Sequence, residues 1–371
     1  MNIIFICNEY PPEKSGGIGI FTKELAESLV NKGHSIFVVG IYKQKKTTSE
    51  IINGVKVTRL PSNRFFKIII DRYKLYLFLK NLVKKEKIQI IEYPDFQGIL
   101  AFTPNINCKK LVRLHGSITY FYTLLGIASY KKTIWKLIEK NNLKKANKII
   151  SVSNFTALKT KEIYDIEQSI QTIYNGIKLD NPYIQKYPQD NIKKYIFAGS
   201  LIDKKGIKEL VNAWKIFSLD KDDVELHIFG KDIEGLLSIF LADSQLKINK
   251  NIFFHGAVSK DKLVNFYNNC HFFISPSKAE AFSLAPMEAM ERSLLVIYNN
   301  QTSAEELISD KINGFLIHNY DIVSALEKSY KLKNDEYNLI TQKAYLTIKN
   351  KFNLKELLEK NIKIYKNLIN S

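Results

Sequence analysis

The feature that most constrains the fold is an alternation of short β-branched runs with amphipathic stretches, which the chain passes through twice. Residues 19–33 form the first amphipathic stretch, with apolar side chains at helical spacing. Parallel strands need crossover connections, so this alternation predicts βαβ units and an α/β fold. The predicted strands of the first half are 2–7, 35–40, 55–60, 88–93, 110–115, 148–153 and 170–175.

The pattern is interrupted once and then restarts, and a chain of 371 residues is long for a single core. We predict a Rossmann-like domain over 1–177, a linker over 178–194, a second Rossmann-like domain over 195–350 and a C-terminal helix over 351–371. Two doubly wound domains of this kind are expected to face each other across a ligand cleft, at the carboxyl ends of both sheets. The predicted strands of the second half are 194–200, 224–230, 251–256, 271–277, 293–299 and 313–318.

Composition excludes several classes of protein. Hydrophobic residues make up 45% of the chain and aromatic residues 12%, which is too much for a disordered protein. The three cysteines show no C-x-x-C spacing, so neither a disulfide framework nor a zinc site is predicted. The first residues are typical of a strand rather than a signal peptide, and no apolar run approaches the ~20 residues that span a bilayer. A cytoplasmic location is therefore expected.

Positive charge is concentrated in the first half of the chain. The net charge is +18, and residues 1–190 hold 30 Lys and Arg against 15 Asp and Glu, whereas residues 191–371 hold 25 against 22. This imbalance suggests an acidic partner for the first domain, either nucleic acid, an anionic membrane surface or an anionic acceptor. A lysine-rich composition without functional meaning is the alternative. No nucleic acid is expected, because the sequence contains no recognisable helix-turn-helix, RNA-recognition or zinc-finger motif.

Residues 64–87 interleave aromatic and basic side chains at nearly helical period. A helix of this composition can rest on an anionic membrane surface, at the inner face of the cell membrane. An ordinary helix packed on the sheet, with a lysine-rich outer face, is the alternative interpretation.

A glycine-rich loop follows the first predicted strand and contains Gly16, Gly17 and Gly19. The free backbone amides at the start of the following helix favour an anion such as a diphosphate. The loop does not match the dinucleotide fingerprint, because Thr22 occupies the position of its third glycine. A plain strand-to-helix turn is the alternative.

In the second half, Lys204 and Lys205 precede a predicted helix and lie between Gly199 and Gly206. A lysine at a helix start can hold a phosphate as a point charge, and a solvated lysine pair is the alternative.

His115 is a candidate site residue, whereas the closely spaced pair Asp220 and Asp222 is not expected to have a functional role. His115 closes a predicted strand, where a parallel α/β sheet carries its functional side chains, although most single histidines are structural. Asp220 and Asp222 form a D-x-D pair, but they lie in a polar turn beside Lys221, so no metal site is predicted.

Residues 277–291 contain the most informative acidic pattern. A predicted strand ends at Ser277, and a helix is predicted to begin near Ser283, which places Glu280 in the loop and Glu288 one turn into the helix. The helix-start amides around Phe282, Ser283 and Leu284 are available to an anion, and the two carboxylates can accept hydroxyl groups of a nucleotide-sugar. Glu291 is predicted to lie on the surface.

These elements together resemble glycosyltransferase family 4 of the GT-B fold, of the type that builds bacterial cell-surface glycans. The resemblance covers nearly the whole chain. It is carried by the E-x7-E element from Glu280 to Glu288, the "GSLIDKKG" element, the glycine-rich loop at 16–19, and "SVSNFTALK" with "IYNGI" within 151–177. In this fold the C-terminal helices are expected to pack back on the first domain.

The resemblance implies a role for each candidate residue in binding a UDP- or GDP-sugar. Glu280 would bind the donor sugar and Glu288 the ribose, while Lys205 would bind the diphosphate. The remaining implied contacts are with the phosphates through Gly16 and Gly17, with the sugar through His115, and with the base through the backbone near Ala257 and Val258.

The chain departs from the family pattern at three positions. Ser200 stands where arginine is frequent, so Lys204 would supply the missing charge, and Ser283 replaces a frequent glycine. Lys178 stands where an aspartate is common.

The resemblance implies transfer with retention of configuration to a glycan or lipid-linked acceptor, in polysaccharide or lipopolysaccharide synthesis. No protein nucleophile, cofactor or metal is expected. The catalytic contribution would come mainly from His115, Lys205 and Glu280. A sugar-nucleotide epimerase or another enzyme of the same fold, and a non-catalytic sugar-nucleotide binder, are the alternatives.

Overall fold

The computed structural model describes residues 1–13, 16–63, 67–186, 192–243 and 251–371. Three parts of predicted segments lie outside the described residues: 14–15 of the glycine-rich loop, 64–66 of the basic and aromatic segment, and 187–191 of the expected linker.

The described residues form two units. The first comprises Met1–Asn175 together with Lys355–Ser371, and the second comprises Gly176–Leu354. Each unit has a largely parallel sheet with helices between its strands, as the alternation in the sequence predicts.

The described residues of the first unit form an eight-stranded sheet. The strands are β1 (Asn2–Ile6), β2 (Ser35–Tyr42), β3 (Thr48–Ile52), β4 (Val55–Pro61), β5 (Ile90–Pro94), β6 (Lys109–Leu114), β7 (Lys148–Ser151) and β8 (Gln171–Thr172). Their order in the sheet is β3-β4-β2-β1-β5-β6-β7-β8. The chain moves outward from β1 through β2 and β4, then returns to the other side of β1 as β5. The strand order therefore reverses between β1 and β5, and ligands of open α/β sheets bind at such points.

Strand β3, which is not among the predicted strands, pairs antiparallel with β4 at the edge of the sheet. The two strands are joined by Asn53 and Gly54, with φ of 47° and 82°. A two-residue Asn-Gly connection with both residues at positive φ matches the right-handed twist of a hairpin.

Both faces of the first sheet are covered by helices. Ile3 and Phe5 contribute to the core on one face, whereas Ile4 and Ile6 contribute to the core on the other, because successive side chains of a strand point to opposite faces. The helices are Gly17–Asn31, Lys67–Glu86, Ile118–Leu124, Tyr130–Lys144, Asn154–Tyr164 and Leu354–Asn370, with a short 3-10 helix at Phe96–Gly98.

The helix Leu354–Asn370 packs into the first unit although it lies at the far end of the sequence. Leu358, Tyr365 and Leu368 are buried in the same core as Ile3. The expectation that C-terminal helices pack back on the first domain is thus met by this helix. The preceding helix, Asn334–Lys351, belongs to the second unit.

In the second unit, the part of the chain that the structure describes contains a six-stranded sheet whose strand pairs are all parallel. The strands are β9 (Lys193–Ala198), β10 (Val224–Phe229), β11 (Ile252–Gly256), β12 (Phe272–Ser275), β13 (Leu295–Asn299) and β14 (Phe315–Ile317), in the order β11-β10-β9-β12-β13-β14. The strand order reverses between β9 and β12. Its helices are Ile207–Phe217, Leu236–Ala242, Lys260–Asn269, Leu284–Glu291, Ala304–Leu307, Ile322–Tyr330 and Asn334–Lys351, with a 3-10 helix at Asp203–Lys205.

Residues 178–186, which the sequence analysis places in a linker, pack on the second unit. The Tyr183 hydroxyl donates to the Asn338 carbonyl at 2.9 Å, and the Lys186 ammonium donates to the Tyr267 carbonyl at 2.7 Å. These hydrogen bonds hold residues 183 and 186 of the segment against the second unit.

Candidate active site

The loops that follow β9 and β12 lie side by side at the reversal of the second sheet. The Lys278 amide donates to the Lys204 carbonyl at 2.9 Å. Gly206 has φ of +69°, and a Cβ at this position would lie 2.2 Å from the Pro276 carbonyl oxygen. Only glycine allows this approach. The structure therefore brings the "GSLIDKKG" and E-x7-E elements into one site.

Glu280 and Lys205 form a salt bridge at the centre of this site. The Glu280 side chain is 8% exposed. Burial alone would raise the pKa of Glu280, but the ammonium groups of Lys205 and Lys204 and hydrogen bonds from Lys205 and Ser277 hold it below its ordinary value. Glu280 is thus an ionised carboxylate, which accepts hydrogen bonds and does not act as a general acid.

Lys204 is half-buried beside the same carboxylate. Burial lowers the pKa of Lys204, the charge of Glu280 opposes this effect, and Lys205 adds to it. Two lysines next to one buried carboxylate leave an excess of positive charge. An additional anion would be stabilised at this position.

Lys278, which is not among the predicted site residues, extends the basic group formed by Lys204 and Lys205. Its ammonium lies 2.9 Å from an Asp203 carboxylate oxygen and 2.7 Å from a Glu209 carboxylate oxygen. These contacts tie the two loops together. Ser200 is half-buried and lies two residues after the end of β9. The carbonyl of the preceding residue, Gly199, lies so close to Gly230 that a Cβ at position 230 would clash with it.

The helix Leu284–Glu291 begins where the sequence predicts. Ser283 precedes it without a side-chain hydrogen bond to the first turn. The first N–H groups of a helix have no partner within the helix, so the amides near Ser283 and Leu284 point outward from its start. The Phe282 ring is buried, with its centroid 5.5 Å from that of Phe352, which anchors the loop.

Glu288 lies one turn into this helix and is half-buried. The Lys260 ammonium lies 3.9 Å from its carboxylate. Ala257 and Val258 follow β11, and Ala257 is exposed while Val258 is half-buried. These two positions are therefore accessible to a ligand.

The prediction that Glu291 lies on the surface is wrong. Glu291 is 2% exposed, and its Oε1 accepts hydrogen bonds from the Asp180 amide at 3.2 Å and the Asn181 amide at 3.0 Å. It also accepts from the Asn181 side chain at 3.0 Å. The buried carboxylate satisfies backbone donors of a segment more than a hundred residues away in the chain, which no helical period can indicate.

In the first unit, Gly16 and Gly17 lie at the start of the helix Gly17–Asn31, as expected. The Glu9 carboxylate accepts from the Gly19 amide at 2.8 Å, and a Cβ on Gly16 would lie 3.0 Å from the same carboxylate. The Glu9 carboxylate therefore already accepts a hydrogen bond from one of the helix-start N–H groups that are predicted to bind a phosphate. The absence of a side chain at Gly16 leaves room for the Glu9 carboxylate.

His115 follows β6 and is held in a defined position. Its backbone amide donates to Asp95 Oδ1 at 2.8 Å, and its ring packs edge-on against Phe21 with centroids 5.1 Å apart. Burial, with a smaller effect from the Arg113 charge, lowers the pKa of His115 to about 3. The imidazole is therefore neutral at physiological pH, with one ring N–H to donate.

A buried ion pair lies near His115. The Arg113 Nε donates to Glu92 Oε1 at 2.6 Å, and the Tyr365 hydroxyl donates to Glu92 Oε2 at 2.6 Å. The Asn361 side chain accepts from Arg113 Nη2 at 2.6 Å. The C-terminal helix thus supplies two of the four members of this network.

Within the described ranges, no group of three or more His, Cys, Asp or Glu side chains has the arrangement of a metal site. Asp220 is exposed and paired with Lys221. In the same part of the chain, no helix combines the length and the apolar character needed to cross a membrane.

Two family models match adjacent parts of the chain and together cover residues 15–350. The model described as Glycosyltransferase Family 4 matches residues 15–181, and the model described as Glycosyl transferases group 1 matches residues 182–350. This chain belongs to glycosyltransferase family 4. It is an enzyme of the glycosyltransferase class, as the sequence analysis expects.

Characterised and uncharacterised glycosyltransferases are similar to this family 4 chain. An uncharacterized glycosyltransferase of Methanocaldococcus jannaschii is 26% identical over 340 residues, covering 86% of this chain and 85% of the relative. The capsular polysaccharide biosynthesis glycosyltransferase CapM of Staphylococcus aureus is 30% identical over 236 residues, covering 58% of this chain and 61% of CapM.

The fold agrees with that of solved structures. The Anabaena protein HepE, in complex with UDP and glucose, matches with a TM-score of 0.74 and 14% identity, covering 99% of this chain and 100% of HepE. The fold of this family 4 enzyme is therefore GT-B, and the predicted fold class is confirmed.

Proposed function

We propose that the enzyme transfers a sugar, with retention of configuration, from a nucleotide-diphosphate donor to a glycan or lipid-linked acceptor in cell-surface polysaccharide synthesis. The observation that carries this proposal is the buried Glu280 carboxylate, ionised and held against Lys205 beside the start of a helix. The description of CapM as a capsular polysaccharide enzyme supports the type of acceptor. The UDP and glucose bound to HepE support the type of donor.

In the second unit, the proposed donor contacts divide by chemistry. Glu280 accepts hydroxyl groups of the sugar, and Glu288 accepts those of the ribose. Lys205, Lys204 and the backbone near Ser283 face the diphosphate, since cations and helix-start N–H groups both stabilise anions. Further proposed contacts are with the base near Ala257 and Val258, and with the donor through Phe282, Leu284, Ser200, Gly16 and Gly17.

The proposed reaction uses no protein nucleophile. The acceptor oxygen attacks the anomeric carbon from the face that the diphosphate leaves, the bond to the diphosphate oxygen breaks, and that oxygen takes the acceptor's proton. Lys205 and the helix-start amides stabilise the negative charge that develops on the leaving group. His115, as a neutral imidazole, donates a hydrogen bond to the donor sugar. The chemistry as proposed requires no metal, because two lysines supply the positive charge.

The first unit is proposed to meet the acceptor at the inner face of the cell membrane. The helix Lys67–Glu86 exposes Ile69, Tyr73 and Leu77 to solvent, with Lys80 and Lys84 further along the same helix. An exposed apolar stripe beside basic side chains suits an anionic lipid surface.

A screen of UDP-, GDP- and ADP-sugars by thermal shift tests the donor. A bound donor raises the melting temperature by mass action, so a rise with one nucleotide-sugar class and none with the free sugar is expected. If no nucleotide-sugar stabilises the protein, the donor assignment is wrong. An isomer formed from donor in the absence of any acceptor would favour an epimerase instead.

The stereochemistry needs its own measurement. Proton NMR of the freshly formed product is expected to give the same anomeric configuration as the donor. An inverted product contradicts the proposed mechanism.

A further inference from the structure

A pocket of about 390 Å³ opens in the first unit, among residues to which the proposed function gives no role. Asn8 lies just after β1 and Gln97 just after β5, so the pocket sits where the strand order of this sheet reverses. Arg72 and Trp135 reach it from the helices Lys67–Glu86 and Tyr130–Lys144. The place is one where open α/β sheets bind ligands.

Arg72 is the charged group of this pocket that retains binding capacity. Its Nη2 donates to the Gln97 carbonyl at 2.8 Å, and among the described residues it forms no salt bridge with a carboxylate. The neighbouring Asp71 is engaged elsewhere, accepting from the Ser62 hydroxyl at 2.7 Å and the Asn63 amide at 2.8 Å. By contrast, Arg113 of the same unit is paired with Glu92. A half-buried guanidinium with free N–H groups is suited to a carboxylate or a phosphate.

The remaining walls suit a sugar ring. Trp135 offers a flat half-exposed face, and aliphatic side chains such as Ile68 and Ile99 flank it. Asn8 Oδ1 accepts from the Ile41 amide at 2.8 Å, which leaves the NH₂ of Asn8 for a ligand. Gln97 is exposed, with its backbone in the left-handed region at φ 62°. A few placed polar groups on apolar walls are typical of small-molecule sites.

We propose that this pocket binds the acceptor, and that the acceptor carries a negative charge: a sugar ring lies against Trp135, and a phosphate or carboxylate attached to it is bound by Arg72. The proposal rests on the proposed function, which requires an acceptor. The excess of 30 basic over 15 acidic residues in residues 1–190 favours the same chemistry, because it attracts anions to this unit.

The two tryptophans of the chain make the pocket directly measurable. Trp135 lines the pocket, whereas Trp214 is 0% exposed in the core of the second unit. Intrinsic fluorescence of the full chain is titrated with glucose 1-phosphate, glucuronate and the neutral methyl glucoside. We expect a saturable change with an anionic probe, at a dissociation constant at least about tenfold below that of methyl glucoside. A stronger response to glucose 1-phosphate indicates a phosphorylated acceptor, and a stronger response to glucuronate indicates a uronate.

Three site variants and one control variant complete the test. Arg72→Gln is expected to remove the preference for the anionic probe, Arg72→Lys to retain part of it, and Trp135→Phe to remove the signal. Lys360→Gln, a change of an exposed cation on the helix Leu354–Asn370 of the same unit, is expected to leave binding unchanged. A melting temperature for each variant shows that it is folded.

Equal affinity for charged and neutral probes, unchanged binding in Arg72→Gln, or no saturable signal with any anionic probe overturns the proposal. Binding of octyl glucoside alone would assign the pocket to an apolar chain instead. A protein that is stabilised by a nucleotide-sugar but does not bind anionic sugars contradicts the pocket assignment only. Binding of anionic sugars without transfer from any nucleotide-sugar contradicts the proposed function only.

Discussion

At the residue scale, three buried carboxyl groups differ in what surrounds them. Glu280 faces two lysines and remains ionised. Glu291 accepts backbone N–H groups and holds residues 180–181 in place. Asp95, 1% exposed, accepts from the backbone of His115, yet burial raises its pKa to about 8. The ionised Glu280 carboxylate is suited to ligand binding, and the hydrogen bonds of Glu291 stabilise the fold. The raised pKa of Asp95 makes the stability of the protein depend on pH.

Lys205→Ala and Glu280→Gln are each expected to lower kcat/KM by about 10²-fold or more. Each removes a preorganised electrostatic contact, which contributes on this scale to catalysis. Steady-state kinetics with the donor found by the thermal-shift screen measures the effect. The exposed pair Lys343→Ala and Glu305→Gln serves as control in the same unit. Near wild-type turnover in either site variant contradicts the assignment.

Asp95→Asn is expected to flatten the dependence of stability on pH between about 4 and 8. In this interval the folded protein keeps a proton on Asp95, whose pKa is about 8, whereas the unfolded chain, near the ordinary value of 3.8, has lost it. The folded state binds more protons, so this group lowers stability as the pH rises through the interval.

Melting temperatures of both proteins from pH 5 to pH 8 test this prediction. The difference between variant and wild type is expected to grow in favour of the variant with increasing pH. Parallel curves would show that Asp95 is ionised in the folded protein.

Residue patterns in the sequence predict the central residues of the candidate site but not the groups that complete it. Glu280, Lys205 and the start of the helix at Leu284 could be placed because they follow strands of a recognisable α/β pattern. Glu291 could not, because its partners at 180–181 are distant in sequence. Arg72 and Trp135 likewise come together only when two helices pack on the same sheet.

At the element scale, most strands and helices were predictable, and the misses have physical reasons. The edge strand β3 is polar and exposed, so no apolar alternation marks it, although the Asn53-Gly54 turn was a signal for a hairpin. The helical segment after residue 334 divides at Phe352 and Asn353 into two helices in different units. A continuous helical period cannot indicate which core each part enters.

Tyr365→Phe is expected to reduce the free energy of unfolding by about 1.5–3 kcal/mol, the range for a hydrogen bond to a charged group. The Tyr365 hydroxyl is buried and donates to Glu92 at 2.6 Å, and phenylalanine keeps the packing while removing the donor. Urea unfolding followed by circular dichroism measures the change. Tyr320→Phe, at a residue 42% exposed, is the control. An equal stability of both variants would mean that Glu92 is satisfied by Arg113 alone.

At the scale of the whole molecule, positive charge favours the first unit as the surface for anionic partners, and exposed apolar side chains lie beside this charge on two of its helices. The apolar stripe of the helix Lys67–Glu86 is joined by exposed Tyr130, Ile134 and Leu137 on the helix Tyr130–Lys144, which also carries five lysines. Two helices of one unit thus combine both properties.

Co-sedimentation with vesicles containing anionic lipid is expected, with little binding to neutral vesicles and a loss of binding as salt rises from about 0.05 to 0.5 M. Tyr73→Ser with Leu77→Ser is expected to weaken it several-fold. Leu219→Ser, at an 82% exposed position of the second unit, is the matched control. Equal binding to neutral and anionic vesicles contradicts the membrane proposal.

The return of residues 355–371 to the first unit has a consequence for the order of biosynthesis. The ribosome completes the second unit, which is continuous from 176 to 354, before it has made the helix that fills the core of the first. The first unit begins synthesis earlier but must wait for Tyr365 and its neighbours before Arg113 and Glu92 are fully enclosed. On a nascent chain, the second unit can therefore reach its final state first.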